Sequence, residues 1–221
     1  SEKPKKQPDP VVIKLFNTII PDWESFFQRE VKSYEFLTNN TSLGLNTPNR
    51  VLCTRGLILY EYLDADNIFD LLLKSDLNKG QSKKLARTIY EIHKQGLIYK
   101  DARLRNFIFN DGKIYPIDYE EIFPATEKKV EENLADFCSG FLDFKPGIFD
   151  FIKTSEECTL EGGISETLKI GLENMYVFTS KYLSIRPLLI PEKYIQPRNN
   201  EVNPLHWIKL VISGLEKTAN R

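Results

Sequence analysis

At 221 residues the chain is long enough to bury a sizeable core as one large domain or two packed lobes, and its 41% hydrophobic and 28% charged content is that of an ordinary globular protein. Thirty basic against 31 acidic side chains leave a net charge of −1, so no bulk field favours nucleic acid, and no run approaches the ~20 apolar residues of a membrane span. The three cysteines, Cys53, Cys138 and Cys158, are odd in number and in no C-x-x-C pairing, which argues against a metal ribbon or disulfide framework and for a reducing, cytoplasmic location.

The opening SEKPKKQPDP is polar and rich in lysine and proline, unlike the apolar stretch of a signal peptide. Residues 10–16, PVVIKLF, are β-branched and apolar around one lysine, Lys14, and are predicted to form a strand. From Trp23 the period becomes helical, with Trp23, Phe26, Phe27, Tyr34 and Leu37 on one stripe. Glu30 falls on that same stripe, and a carboxylate turned towards a core needs a cationic partner or must give up its charge.

Residues 56–63, GLILYEYL, read as a second strand, after which Asp66 or Asn67 can cap a short helix. Residues 82–95 are predicted helical with Leu85, Ile89 and Ile92 inward and Gly96 where a left-handed cap belongs. Next, NFIFNDGKIYPID is a hairpin turning on Asp111-Gly112, with Pro116 confined to an edge strand. Residues 129–142 place Val130, Leu134, Phe137, Cys138 and Phe141 on one helical face. Beyond Pro146 the expectations are a helix at 165–183, a proline-punctuated loop at 186–204 and a terminal helix from 205.

The hairpin brings chemistry together. Counting outwards from the turn pairs Asn110 with Lys113 and sets Asn106 opposite Ile117, one residue from Asp118, while Asp101 lies on the loop feeding in. Two carboxylates and an amide make a hard-oxygen cluster suited to Mg²⁺, which takes its remaining oxygens from phosphate and water.

These residues carry a resemblance. IHKQGLIYKDARLRNFIF resembles the catalytic loop of the protein kinase-like superfamily, typically L-H-x-x-G-I-I-H-R-D-x-K-x-x-N, with His93, Gly96, Asp101 and Asn106 matching and Arg103 in the place of the loop lysine. IDYEE resembles the metal-binding D-F-G segment, and its DYE form is closer to the aminoglycoside and choline phosphotransferases. VVIK resembles the V-A-I-K strand, FFQREVKSYEFL the helix whose glutamate is then Glu30, ILYEYL the hinge around Glu61 and Leu63, and NLADFCSG the later helix that braces the loop through Asp136.

The resemblance implies an α+β, two-lobed fold: a small β-rich lobe over 1–63 and a mostly helical lobe over 64–221. It implies ATP and Mg²⁺ as cofactors, with Lys14 and Glu30 at the phosphates, backbone near Glu61 and Leu63 at the adenine, and Asn106 and Asp118 on the metal. Asp101 would accept the proton of an acceptor hydroxyl, and Arg103 would neutralise charge on the transferring group. The acceptor is a small molecule or, in an atypical RIO-like kinase, a protein, because no long activation segment or Ala-Pro-Glu follows Asp118.

The pattern also departs from the family. No glycine precedes Lys14, so the Gly-rich loop is missing: either the sequence begins downstream of it or this member lacks the flap. That keeps a rival open, a non-catalytic pseudokinase acting as a nucleotide-binding or regulatory module. A helical interaction module would require the motif series to be coincidence. His93 reads as a structural histidine, Asp136 equally as a plain helix residue, Tyr99 as packing beneath Asp118, and Glu120 and Glu121 as solvated loop acids.

Overall fold

The computed structural model describes residues 9–39, 45–142 and 166–185. Cys158, the loop at 186–204 and the terminal helix from 205 lie outside the described residues.

Strand β1 (Val11–Leu15) leads to helix α1 (Trp23–Asn39), and β2 (Arg50–Thr54) and β3 (Leu57–Glu61) complete an antiparallel sheet in the order β1-β3-β2. The first strand and the helix fall where periodicity puts them. Sequence reading missed β2, although it is joined to β3 through Arg55-Gly56, with Gly56 at φ +78°, a turn conformation that glycine adopts without strain. The apolar stripe of α1 is narrower than expected. Phe27, Glu30, Tyr34 and Leu37 are buried, but Phe26 is 37% exposed, with the Arg29 guanidinium 4.7 Å from its ring centroid.

Helix α2 (Ile68–Leu73) is capped by Asn67, whose side chain accepts from Asp70 N at 2.9 Å, while Asp66 instead pairs with Lys74. Helix α3 (Lys79–Lys94) starts three residues before the expected Ser82, because Asn78 and Gln81 form a reciprocal capping box ahead of the apolar period. Its far end closes on Gly96 at φ +70°. Leu85, Ile89 and Ile92 are buried.

Strand β4 (Leu97–Tyr99) pairs with β7 (Ile122–Pro124), and β5 (Phe107–Asn110) with β6 (Lys113–Pro116). The three-residue β4 and β7 are too short to show an alternation, so neither was read from the sequence. The hairpin has the register counted from its turn: Asn110 faces Lys113, Asp111 and Gly112 both have positive φ, and Ile117 N donates to Asn106 O at 2.9 Å.

Helix α4 (Glu127–Gly140), capped by Thr126, buries Val130, Leu134, Phe137 and Cys138, and α5 (Glu166–Ile185) packs on α3 through Ser82–Asn174 and His93–Tyr182 hydrogen bonds. A relay of rings from Tyr99 through Phe107, Phe137 and Phe178 to Phe141, with centroids 5.2–6.2 Å apart, forms the core beneath the loop that carries Asp101. The molecule is thus α+β, with a small sheet and one helix followed by a mainly helical part. No helix among the described residues is long and apolar enough to cross a membrane.

Candidate active site

The loop after β4 is pinned from below. Tyr99 is fully buried; its N–H donates to Asn133 Oδ1 at 3.2 Å and its carbonyl accepts from Asn133 Nδ2 at 2.6 Å. The same Oδ1 accepts from His93 Nε2 at 2.9 Å, and His93 Nδ1 then accepts from the Tyr182 hydroxyl at 2.6 Å. His93 is therefore the structural residue that sequence reading made it. The brace from α4 is Asn133 rather than Asp136, which lies exposed on the outer face one turn on. The expected motif aspartate drew attention to the wrong position: an amide, carrying both donor and acceptor, satisfies both backbone groups of Tyr99, which a carboxylate cannot.

Above this brace the chain turns sharply. Arg103 N donates to Asp101 O at 2.7 Å, Arg103 Nε lies 2.9 Å from Asp101 Oδ1, and Asn106 Nδ2 donates to Asp101 O at 3.1 Å and to Oδ2 at 3.3 Å. The Asp101 carboxylate is oriented by a guanidinium and an amide. Because the amide nitrogen of Asn106 is committed to Asp101, its side-chain oxygen is the atom it can offer a cation.

Asp118 follows β6 in the left-handed conformation, φ 68° and ψ 59°, and its carbonyl accepts from the Tyr99 hydroxyl at 2.9 Å. An aspartate tolerates this region better than most residues, yet it still stores strain that the surroundings must hold. The strained backbone sets the carboxylate against Lys14 from β1, more than a hundred positions away, and the ammonium pairs at once with Asp118, Glu120 and, at 3.1 Å, Glu30 Oε2. Burial alone would lower the pKa of Lys14; Glu30 and the hydrogen bonds the ammonium donates to Asp118 and Glu120 outweigh it and hold the ammonium above its ordinary range.

Glu30 is fully buried, and each oxygen is satisfied: Oε2 also accepts from Glu120 N at 2.8 Å, and Oε1 accepts from the Tyr60 hydroxyl at 2.7 Å. Glu120 corrects the expectation of a solvated loop acid. Its side chain is 18% exposed and is ion-paired to Lys14. Burial pushes its carboxyl up to about 7, opposed by Lys14 and reinforced by Asp118. No sequence signal marked it, because its contacts with Lys14 and α1 join positions 90 or more residues apart. Tyr60, an alternating residue of β3, carried no separate signal.

Carboxylates outnumber the ammonium in this cluster, and oxygens of Glu30, Asp118 and Glu120 all lie within 4.8 Å of one another. Such a hard-oxygen set, with the Asn106 amide at the end of the same hairpin, fits Mg²⁺ better than a thiol- or imidazole-preferring metal. At the β3 exit, Glu61 N donates to Asn49 O at 2.8 Å, its carboxylate accepts from Asn49 Nδ2 at 2.6 Å, and Leu63 O accepts from Ala65 N at 2.9 Å. The Leu63 N–H has no hydrogen-bond partner among the described residues.

Bud32, a subunit of the KEOPS complex of Pyrococcus abyssi (strain GE5 / Orsay), is 25% identical over 96 residues, 42% of this chain and 44% of that protein. WaaY, the lipopolysaccharide core heptose(II) kinase of Escherichia coli (strain K12), is 24% identical over 140 residues, 56% of this chain and 59% of that one. The likeness is to the protein kinase-like superfamily. No family model matches. Among solved structures, WaaP in complex with acyl carrier protein aligns at a TM-score of 0.48 and 14% identity over 87% of this chain and 75% of that chain. The bifunctional kinase-methyltransferase WbdD aligns at 0.47 and 14% over 91% of this chain and 45% of that one. This kinase-like chain thus spans 44% and 59% of the curated relatives it matches.

Proposed function

We propose that the cleft between β1, α1 and the β5–β6 hairpin is a phosphotransferase site that moves the γ-phosphoryl group of ATP to a hydroxyl of a small molecule or a protein, in the cytoplasm where ATP is abundant. The observation that carries this reading is the Lys14–Glu30–Asp118 contact, which joins one strand, one helix and the end of a distant hairpin by ion pairs. The boundary between the two lobes near residue 63 belongs to the same reading, with the adenine held at Leu63 N–H and backbone near Glu61.

A triphosphate entering the cleft offers Lys14 new anionic partners in place of Asp118 and Glu120, while Glu30 keeps the ammonium in place. Asn106 and Asp118 would hold Mg²⁺, which when bound neutralises charge on the phosphate oxygens. Asp101, held by Arg103 and Asn106, accepts the proton of the acceptor hydroxyl as its oxygen bonds to the γ-phosphorus and the bond to ADP breaks; such general-base help is typically worth ~10²- to 10⁴-fold. Arg103 adds positive charge beside the transferring group.

A nucleotide-binding module without turnover is the second reading, favoured by one observation: the Lys14 ammonium is engaged by three carboxylates, two of which, Asp118 and Glu120, a phosphate has to displace. Thermal unfolding with and without ATP and Mg²⁺ tests the shared claim. Magnesium-dependent stabilisation, about 2.7 kcal/mol at a hundredfold excess over Kd, is expected for the native chain and lost in Asp118→Asn. Slow ADP release that disappears in Asp101→Ala while nucleotide still binds then separates enzyme from module; binding without any release leaves only the module.

A further inference from the structure

The Glu30 carboxylate is completely buried, so an oxygen left without a donor would swing to find one. On one side Oε2 takes both Lys14 Nζ and the amide of Glu120; on the other, Oε1 receives the Tyr60 hydroxyl at 2.7 Å. Tyr60 lies on β3 directly across from Val12 of β1, two residues before Lys14. Its ring packs against Tyr34 of α1, centroids 5.5 Å apart, and against Tyr119, the residue after Asp118, at 6.1 Å, and those two rings also contact each other at 5.4 Å. The other two hydroxyls of this aromatic trio point elsewhere, Tyr34 to Pro48 O and Tyr119 to Pro116 O. Burial first, and then the neighbouring Glu30 charge, drives the Tyr60 hydroxyl far above its ordinary pKa, so it remains a donor at any working pH.

We propose that Tyr60 is a positioning residue for the phosphate-binding lysine: its hydroxyl fixes Glu30 so that Oε2 stays aimed at Lys14 when a nucleotide draws the ammonium away from Asp118 and Glu120. The inference rests on the phosphotransferase reading of the same site and adds a residue outside the motif series that carried it. Only the Glu30 contact survives that exchange of partners, and of the donors to Glu30 only Tyr60 leaves Oε2 unencumbered. The ring stack, which Tyr60→Phe preserves, positions the hydroxyl but does not itself touch the carboxylate.

Isothermal titration of ATP with Mg²⁺ into the native chain, Tyr60→Phe, Glu30→Ala and the double variant tests the proposal. Tyr60→Phe is expected to raise Kd about tenfold, the loss of one hydrogen bond to a charged acceptor, and to lower the unfolding midpoint as well, because the buried Oε1 loses its donor. In the Glu30→Ala background the same substitution is expected to change Kd less than about twofold, because the group it acts through is gone. Should Glu30→Ala fail to fold, Glu30→Leu replaces it with an apolar side chain of similar length. An unchanged Kd in Tyr60→Phe, or an equal loss in both backgrounds, overturns the proposal while leaving nucleotide binding intact. A native chain that binds no ATP with Mg²⁺ overturns both this inference and the phosphotransferase reading.

Discussion

Lys14 holds its place through partners that are themselves charged, and removing it leaves the buried Glu30 carboxylate without its cation. Lys14→Met is therefore expected to destabilise the fold by roughly 3–5 kcal/mol in a denaturant titration, and Lys14→Met/Glu30→Gln to recover part of that loss. If Lys14→Met alone is neutral, the ion pair contributes nothing to stability. Glu120 has the opposite character. Because burial raises its pKa from 4.5 to about 7, it resists ionising in the folded state, so the stability tied to it is complete below about pH 4.5 and is lost as pH climbs through about 7. In the absence of nucleotide and metal, Tm of Glu120→Gln relative to the native chain is expected to rise across that window. A constant difference would show that Glu120 titrates as an ordinary surface acid.

At the scale of elements, α1 grips the turn after Asp118 by both backbone groups of one residue. Glu30 Oε2 takes the N–H of Glu120, and Arg29 Nε donates to its carbonyl at 3.3 Å. The Arg29 guanidinium also stands 5.1 Å from the Phe123 ring centroid on β7, and the Lys100 ammonium 5.4 Å from the same centroid. Helix, turn and short strand pair are thus tied together without any long segment between Asp118 and α4. Arg29→Ala is expected to cost roughly 1–3 kcal/mol and to speed amide hydrogen exchange at residues 119–121 while leaving α3 protected. Equal acceleration in α3 would mean that the substitution loosens the whole molecule and that the clamp is not local.

Across the whole molecule, the elements legible in the sequence were those with a period or a turn signal. The Asp111-Gly112 hairpin could be counted to the residue, and the helices around Glu30, Leu85 and Phe137 showed their buried faces. Strands β4 and β7 were too short to alternate, and β2 has an exposed apolar face, with Val51 60% exposed, that fits no half-buried pattern. The site divided similarly. Lys14, Glu30, Asp101, Asn106 and Asp118 became candidates because each sits in a spaced motif, whereas Tyr60, Glu120 and Asn133 make tertiary contacts that join positions 30 to 90 residues apart. Asp136 shows the converse, a residue in a motif-like place whose helix turns it outward.

The central claim, that Lys14 and Asp118 face one nucleotide phosphate site, is tested most directly by labelling the native chain with an acyl-phosphate derivative of ATP and mapping the acylated lysine. Acylation at Lys14, suppressed by excess ATP with Mg²⁺ and lost in Asp118→Asn, is the expected result. Labelling spread over surface lysines, or labelling of Lys14 that ATP does not suppress, would contradict it.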